Sequence, residues 1–379
     1  MALSVEQLDT PCLVLDLKRT TRNAALMLAR CRQLGVTLRP HVKTPKSIEL
    51  AKLALARETG PITVSTLHEA RHFAESGFKD ILYATAIVPA KLPQIFAIQR
   101  ETGAQIHVVL DSVTVAQNLA AFPSGGPSVL SALIEIDCGE HRSGISPDDD
   151  VLLKIARELA QSPSTKLAGV MTHAGHSYES KSKDELRQVA AKEREAALTA
   201  SKTLTESGFP CPQVSIGSTP TILHVDHLNG VTEVRCGVYL LWDLSQVSRH
   251  ICEVTDIAAT VLATVIGHNR ASNSIVIDAG ALALSKDIGA NKFMPGVGYG
   301  LICDSYTCMP LSPLAVTQVH QEHGTISISD LSWFNRLQIG SLVRVLPNHI
   351  CMTAAAYKEF HVLQNGKIVD SWKRVSGWR

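Results

Sequence analysis

The segment Thr37–Gly77, TLRPHVKTPKSIELAKLALARETGPITVSTLHEARHFAESG, holds two copies of one pattern. A β-rich run, Thr37–Lys43, leads into a polar loop. Ser47 then precedes the helical stretch IELAKLALARE, which stops at Gly60. A second β-rich run, Ile62–Ser65, follows at once. Thr66 and Glu69 have the spacing of a capping box ahead of another helix, which stops at Gly77. Strands alternating with helices through short connections point to parallel βαβ units.

The same alternation continues up to about residue 240. Further strand candidates are Ile81–Ile87, Gln105–Leu110, Val129–Asp137, Leu167–His173, Val214–Gly217 and Glu233–Gly237, which brings the number to eight. Asp111 is placed to cap SVTVAQNLAAF. Asp148–Asp150 put negative charge at the start of VLLKIARELA, where the helix dipole favours it. Lys183–Ser207 reads as a long amphipathic helix ending at Gly208, and Thr219–Val231 has room for one short helical turn. Eight strands with helical crossovers predict an α/β fold, a closed parallel (β/α)8 barrel, with an open doubly wound sheet as the alternative. In either architecture an active site belongs at the C-terminal ends of the strands.

Beyond residue 245 helical periodicity stops. Short β-rich runs separated by turn residues follow: Ala258–Gly267, Ser274–Asp278, Gly300–Asp304, Leu314–His320, Thr325–Ile328, Leu342–Leu346 and Glu359–Gln364. They predict a mainly antiparallel β domain. Cys12–Leu17 is a spare strand ahead of the barrel, free to pair with that domain. The expected division is 16–245 for the barrel and 1–15 plus 246–379 for the β domain.

Composition narrows the function classes. Of 379 residues, 45 % are hydrophobic and 19 % charged, which is ordinary for a globular chain. Lys plus Arg number 36 against 35 Asp plus Glu, so there is no basic excess to serve a nucleic-acid groove or a membrane surface. Nine scattered cysteines without a CxxC pair suit free thiols in a reducing compartment. The start, MALSVEQLDTP, lacks the parts of a signal peptide, and no run approaches the ~18 apolar residues of a membrane span. The expectation is a soluble cytoplasmic protein without nucleic-acid or membrane partners.

Residues able to carry chemistry gather at strand ends. Lys43 closes the first strand; it reads either as a solvated lysine or as a Schiff-base lysine, whose partly desolvated amine attacks an aldehyde. Arg142, in EIDCGEHRSGI, becomes an anion or phenolate clamp if its loop folds over the barrel mouth. His173, His176 and Tyr178 end GVMTHAGHSY. Their spacing is a weak metal signal and suits contact with a flat ligand equally well. VSIGSTPT supplies Gly217, Ser218, Thr219 and Thr221 after a strand, the composition of a phosphate cup and also of any polar turn. RCGVY, with Gly237 and Tyr239, makes a second glycine turn in the next loop. Phosphate sites of such barrels commonly use these last two loops. In the β domain, His349 and Cys351 stand two apart; on a strand they would share a face and could hold a borderline-soft divalent ion such as Zn²⁺. A buried cysteine beside a polar histidine is the plainer reading of the pair. His320–Gly324 forms a further polar cluster.

The ordered set LDTPCLVLD, RPHVKT, EIDCGEHRSGI, GVMTHAG, SIGSTPT and LPNHIC resembles the fold-type III pyridoxal-phosphate enzymes, in particular the group of D-serine dehydratase, D-threo-3-hydroxyaspartate dehydratase and D-threonine aldolase. The resemblance spans nearly the whole chain. It implies an alanine-racemase-like barrel plus a β domain, and a homodimer. Carried over by motif, Lys43 would bind pyridoxal 5'-phosphate covalently and Arg142 would lie near its phenolic oxygen. His173 and Tyr178 would line its ring, and Gly217, Ser218, Thr219, Gly237 and Tyr239 would belong to the phosphate end. Arg235 occupies the place of the arginine facing the pyridine nitrogen in alanine racemases; elimination needs a different electron sink from racemisation, so that role is not carried over. His349 and Cys351 match the metal pair of the dehydratases, with zinc favoured by the thiolate and manganese or cobalt as alternatives.

The implied reaction is elimination from a small D-3-hydroxy amino acid, such as D-threo-3-hydroxyaspartate or D-serine, to a 2-oxo acid and ammonia. Lys43 would serve as general base and the metal as Lewis acid on the departing hydroxyl. A metal-dependent D-threonine aldolase is the nearest alternative. Aldolases of this group more often have aspartate where Cys351 stands, which favours dehydration. From other classes, a non-catalytic pyridoxal-phosphate carrier would have no use for the HxC pair. A metal-dependent barrel hydrolase would need more His and Asp ligands at strand ends.

Overall fold

Eight parallel strands pair side by side in the order Thr37–Leu38, Glu233–Val234, Gln213–Ile216, Thr165–Thr172, Leu130–Ile136, Gln105–Leu110, Asp80–Ala86 and Pro61–Val64. The computed structural model describes residues 3–123 and 129–378. Residues 1, 2 and 379 of the expected β domain, and 124–128 of the expected barrel, lie outside the described residues.

The two ends of this sheet meet through one parallel bridge, His41 with Thr63, so the barrel is nearly closed. Thr37–Lys43, expected as one strand, is a ladder only over Thr37–Leu38. Pro40 is the physical reason. It accepts from Thr63 N at 3.0 Å, but it has no N–H to return a bond to the neighbouring strand.

Helices flank the strands as expected, with two corrections at their starts. Thr66 does cap its helix, accepting from Glu69 N at 3.0 Å, but the Glu69 carboxylate reaches Ser65 N instead of completing the box. Asp111 does not cap the next helix; Ser112 does, and Asp111 Oδ2 instead accepts from Gly144 N at 2.9 Å. The helix Lys183–Glu206 buries a stripe of Leu186, Ala190, Ala196, Ala197, Ala200 and Leu204.

The described chain divides into two compact units. One takes in residues up to Ala24, Thr44–Glu49 and Val238–Ser376; the other takes Ala25–Lys43, Leu50–Gly237 and residues 377–378. The first is built on a sheet in the order Pro310–Ala315, Gly300–Asp304, Leu342–Pro347, Ala259–Asn269, Cys12–Asp16, Glu359–Gln364, Lys367–Lys373. Every pairing in it is antiparallel except that of Cys12–Asp16 with Glu359–Gln364. The spare N-terminal strand therefore enters this sheet. Ser274–Ile277 extends it from the far end of Ala259–Asn269 and pairs in turn with Gly324–Ser327. Leu314–His320, expected as one strand, is split between Pro310–Ala315 and Gln318–Val319.

Inside the barrel lies a buried polar chain. Arg39 binds Asp80 through Nη1 at 2.6 Å and Glu233 through Nε at 2.8 Å. Ser215 donates to Glu233 at 2.7 Å, and Arg235 Nη1 donates to Ser215 at 2.6 Å. His107 joins at the other end, 3.2 Å from Asp80. Buried charge is tolerable only when answered in this way. Arg39→Ala leaves Glu233 buried beside a lost cation, so the variant is expected to lose about 3–5 kcal/mol of stability. Urea denaturation measures it, and an unchanged midpoint would show that the chain contributes nothing.

Candidate active site

Several strand ends of the barrel unit are set by hydrogen bonds or close backbone approach. Asp137 turns the chain after Leu130–Ile136: its Oδ1 accepts from Gly139 N at 2.8 Å and His141 N at 3.1 Å. Ser143 Oγ then donates to Glu135 at 2.9 Å, and Gly144 N is tied to Asp111. Arg142 is thereby folded back over its own strand, with Nη1 3.3 Å from Glu140 Oε1. After Thr165–Thr172, His173 Nδ1 donates to Gly217 O at 2.6 Å. Gly217 has φ +150, and a Cβ there would stand 2.7 Å from Arg235 N. Gly237 is similarly confined, its missing Cβ 2.7 Å from His41 O.

These ends enclose a cavity of about 370 Å³. Lys43, Arg142, His173 and Gly217 line it, so four of the expected residues come together. His41, Glu135 and Arg235 line it as well. Tyr178 is half-buried on the short turn Gly175–Glu179 and does not line the cavity. Tyr239 is buried in the turn Val238–Leu240, which belongs to the other unit. Ser218 and Thr219 are buried at the start of the helix Thr219–His224. The expected supply of free N–H groups is reduced: Gly217 N donates to Glu193 at 3.0 Å and Ser218 N to Thr221 Oγ1 at 3.3 Å. Ser218 Oγ also lies 2.8 Å from Ser177 Oγ.

The cavity is a cationic environment, and its titratable groups answer to that. Burial, reinforced by the charges of Lys43, Arg235 and Arg142, depresses His173 to about 3. Burial and the charges of Lys43 and Arg235 push His41 well below the ordinary histidine value. Both imidazoles are therefore neutral at physiological pH. Burial raises the Glu135 carboxyl, with Ser143 and Arg142 working against the rise.

The second constellation lies in the other unit. His349 and Cys351 are not on a strand. The strand ends at Pro347, His349 caps the short helix Ile350–Ala354, and Cys351 lies in its first turn. The helix cap, and not strand alternation, lets the two side chains hydrogen-bond. His349 Nδ1 lies 2.7 Å from Asp287 Oδ2, which leaves Nε2 as the ring nitrogen that Asp287 does not engage. Asp243 Oδ2 accepts from Ile350 N at 3.0 Å and fixes the start of the helix. Thr44 places its hydroxyl 3.0 Å from Cys351 Sγ. Asp287 and Cys351 push His349 up to about 11 against burial. Burial alone would raise the Cys351 thiol, but the His349 hydrogen bond and charge outweigh it and hold the thiol below its ordinary value. A thiol held below its ordinary pKa, beside an imidazole oriented by a carboxylate, suits a borderline-soft divalent cation. No group of three or more His, Cys, Asp and Glu suited to a metal occurs among the described residues, so protein ligands would fill two positions. His176 does not join such a group, and His320–His323 form an exposed turn between Gln318–Val319 and Gly324–Ser327.

Glu135, His41, Asp287 and Asp243 were not singled out from the sequence. His41 stands in RPHVK two residues before Lys43, and Glu135 alternates with apolar residues on its strand, so both carried a usable signal. Asp287 carried none, because its partner is 62 positions away.

His173 carries a linkage prediction. Its pKa lies below the ordinary 6.5, so the unfolded chain binds the proton first, and stability falls as pH drops from about 6.5 toward 3. Denaturation of the ligand-free protein at stepped pH should show a shallower acid loss in His173→Asn. Parallel curves would place the acid sensitivity elsewhere.

Comparison with known proteins agrees with this geometry. Residues 15–244 match the alanine racemase N-terminal domain family, and residues 258–363 the putative serine dehydratase domain. D-threo-3-hydroxyaspartate dehydratase of Delftia sp. is 41 % identical, over 98 % of each chain. D-serine dehydratase of Dictyostelium discoideum is 32 % identical, over 99 % of this chain and 98 % of its own. D-threonine aldolase of Arthrobacter sp. is 27 % identical, over 97 % and 92 %. Solved structures of D-threo-3-hydroxyaspartate dehydratase include a histidine-to-alanine variant and a cysteine-to-alanine variant in metal-free form. Both superpose with TM-score 0.95 at 40 % identity and cover 99–100 % of this chain and 98–100 % of theirs. No helix among the described residues is long and apolar enough to cross a membrane. With an alanine-racemase-like barrel, a mainly antiparallel second sheet and these relatives, the chain belongs to the fold-type III lyase family of the D-threo-3-hydroxyaspartate and D-serine dehydratases.

Proposed function

We propose that this protein is a pyridoxal-5'-phosphate- and divalent-metal-dependent dehydratase of D-3-hydroxy amino acids, with D-threo-3-hydroxyaspartate the first substrate to test. The observation that carries the reading is the Lys43 amine in one cavity wall with Arg142, His173 and Arg235. The relatives named as dehydratases support it. So does the spacing of the histidine and cysteine replaced in the solved variants, which stand two apart as His349 and Cys351 do.

The residues fit both groups. Lys43 would hold the cofactor's aldehyde, Arg142 its phenolic oxygen, and Ser218 and Thr219 its phosphate, with Gly237 giving close backbone approach. His349 Nε2 and Cys351 Sγ would hold the cation, with zinc favoured by the thiolate. When bound, the cofactor withdraws electrons from Cα and the cation polarises the β-hydroxyl. The chain supplies the rest. Lys43 Nζ takes the Cα proton as general base. His173 Nε2, neutral and fixed by its Nδ1–H bond to Gly217, presents an acceptor to the cavity. Asp287 holds His349 in one orientation, so Nε2 would be the ring nitrogen available to a cation. The products are a 2-oxo acid and ammonia.

Retro-aldol cleavage is the second reading, supported by the D-threonine aldolase likeness. Product analysis with D-threo-3-hydroxyaspartate, D-serine and D-threonine separates the two. Ammonia plus oxo acid is expected; glycine plus aldehyde would replace dehydration by cleavage.

Lys43→Ala should abolish the visible absorbance of covalently held cofactor and lower turnover by about 10²–10⁴. Unchanged absorbance removes Lys43 from this role. Cys351→Ala should lose bound divalent metal by elemental analysis and lose ammonia release, while cofactor absorbance persists. Full metal content in that variant would reject the assigned ligand pair.

A further inference from the structure

Glu193 is fully buried, yet it lies in the middle of the helix Lys183–Glu206, in phase with the apolar stripe. A carboxylate there is tolerable only if its oxygens are answered. They are. Oε1 accepts from Ala174 N at 3.1 Å, Gly217 N at 3.0 Å and Thr172 Oγ1 at 3.4 Å. Oε2 accepts from Thr221 Oγ1 at 2.7 Å. Burial raises this carboxyl, while its donors and the Arg235 charge work against the rise.

These four donors come from three segments: the end of Thr165–Thr172, the turn after Gln213–Ile216, and the helix Thr219–His224. One side chain therefore ties together both loops that carry His173, Ser218 and Thr219. Gly217 is held on both sides, its N–H by Glu193 and its carbonyl by His173. Thr221 Oγ1 relays the constraint to Ser218, with 3.1 Å between the two hydroxyl oxygens. Ser218 in turn meets Ser177. Removing the carboxylate would leave two buried N–H groups without acceptors and free the turn to move.

We propose that Glu193 is a positioning residue for the phosphate end of the cofactor, acting through Gly217 and Thr221 without touching the ligand. This rests on the cofactor reading above. Its consequence is selective: the hold on phosphate depends on Glu193, whereas the hold on the aldehyde by Lys43 does not.

The test compares pyridoxal 5'-phosphate with pyridoxal, the same aldehyde without phosphate. Absorbance titrations give the dissociation constant of each for the full-length wild type, Glu193→Gln and Glu193→Ala. Loss of a charge-assisted hydrogen-bond set corresponds to roughly a tenfold to hundredfold weaker hold on pyridoxal phosphate in Glu193→Ala. Pyridoxal affinity should change by less than about twofold, on the scale where tenfold is 1.4 kcal/mol. Glu193→Gln keeps one oxygen and should fall between; it also carries the test if the alanine variant does not fold. Equal weakening of both aldehydes, or of neither, would overturn the positioning role. Wild-type protein that binds neither aldehyde would overturn the cofactor reading, and this inference with it.

Discussion

Arg235 is the buried cation at which the polar chain of the barrel unit meets the cavity. It is buried at a strand end, held by Ser215 Oγ and by the carbonyl of Thr172. Behind it the polar chain continues through Glu233 and Arg39 to Asp80, so its position is inherited from charges deep in the barrel. Ahead of it lies the cavity. Its charge depresses His41 and His173 and favours the ionised forms of Glu135 and Glu193.

The two constellations run on opposite electrostatic logic. In the barrel cavity, burial and cations keep two imidazoles neutral, so each keeps a ring lone pair to accept a hydrogen bond. In the other unit, Asp287 and Asp243 raise His349, and the imidazole charge in turn lowers Cys351. The same residue type is thus neutral in one unit and charged in the other, decided by the sign of its neighbours. A thiolate beside an exchangeable imidazole proton suits a site that releases that proton when a cation takes its place.

Periodicity made the architecture legible. Alternating apolar strands and helices between Thr37 and Gly237 exposed the barrel because each unit repeats the same hydrophobic requirement. Lys43, Arg142, His173 and Gly217 were found for a related reason: strand ends are where polar residues interrupt apolar runs. Local rules failed where a distant partner decided the outcome. Asp111 looked like a cap, but Gly144, 33 positions on, claims its carboxylate. His349 and Cys351 do meet, though not by strand alternation, since the chain turns into a helix after Pro347. Glu193 was hidden among the charged residues of an amphipathic helix. Its one distinguishing mark is its phase, three or four residues from Ala190, Ala196 and Ala197.

Dehydration and carbon–carbon cleavage ask the same residues for different proton transfers. Elimination takes a proton from Cα and lets the β-oxygen leave. Cleavage takes the proton from the β-oxygen and breaks the Cα–Cβ bond. A cation ligated by thiolate or by carboxylate would carry the same ligand charge, so charge alone does not select the bond; a thiolate favours a softer metal. The selection therefore falls to the proton acceptors. Elimination needs a base within reach of the Cα proton, whereas cleavage needs one within reach of the β-hydroxyl. His173 is fixed through Gly217, and Gly217 through Glu193. The place of the His173 imidazole is thus set by the same hydrogen bonds that hold the turn at Gly217.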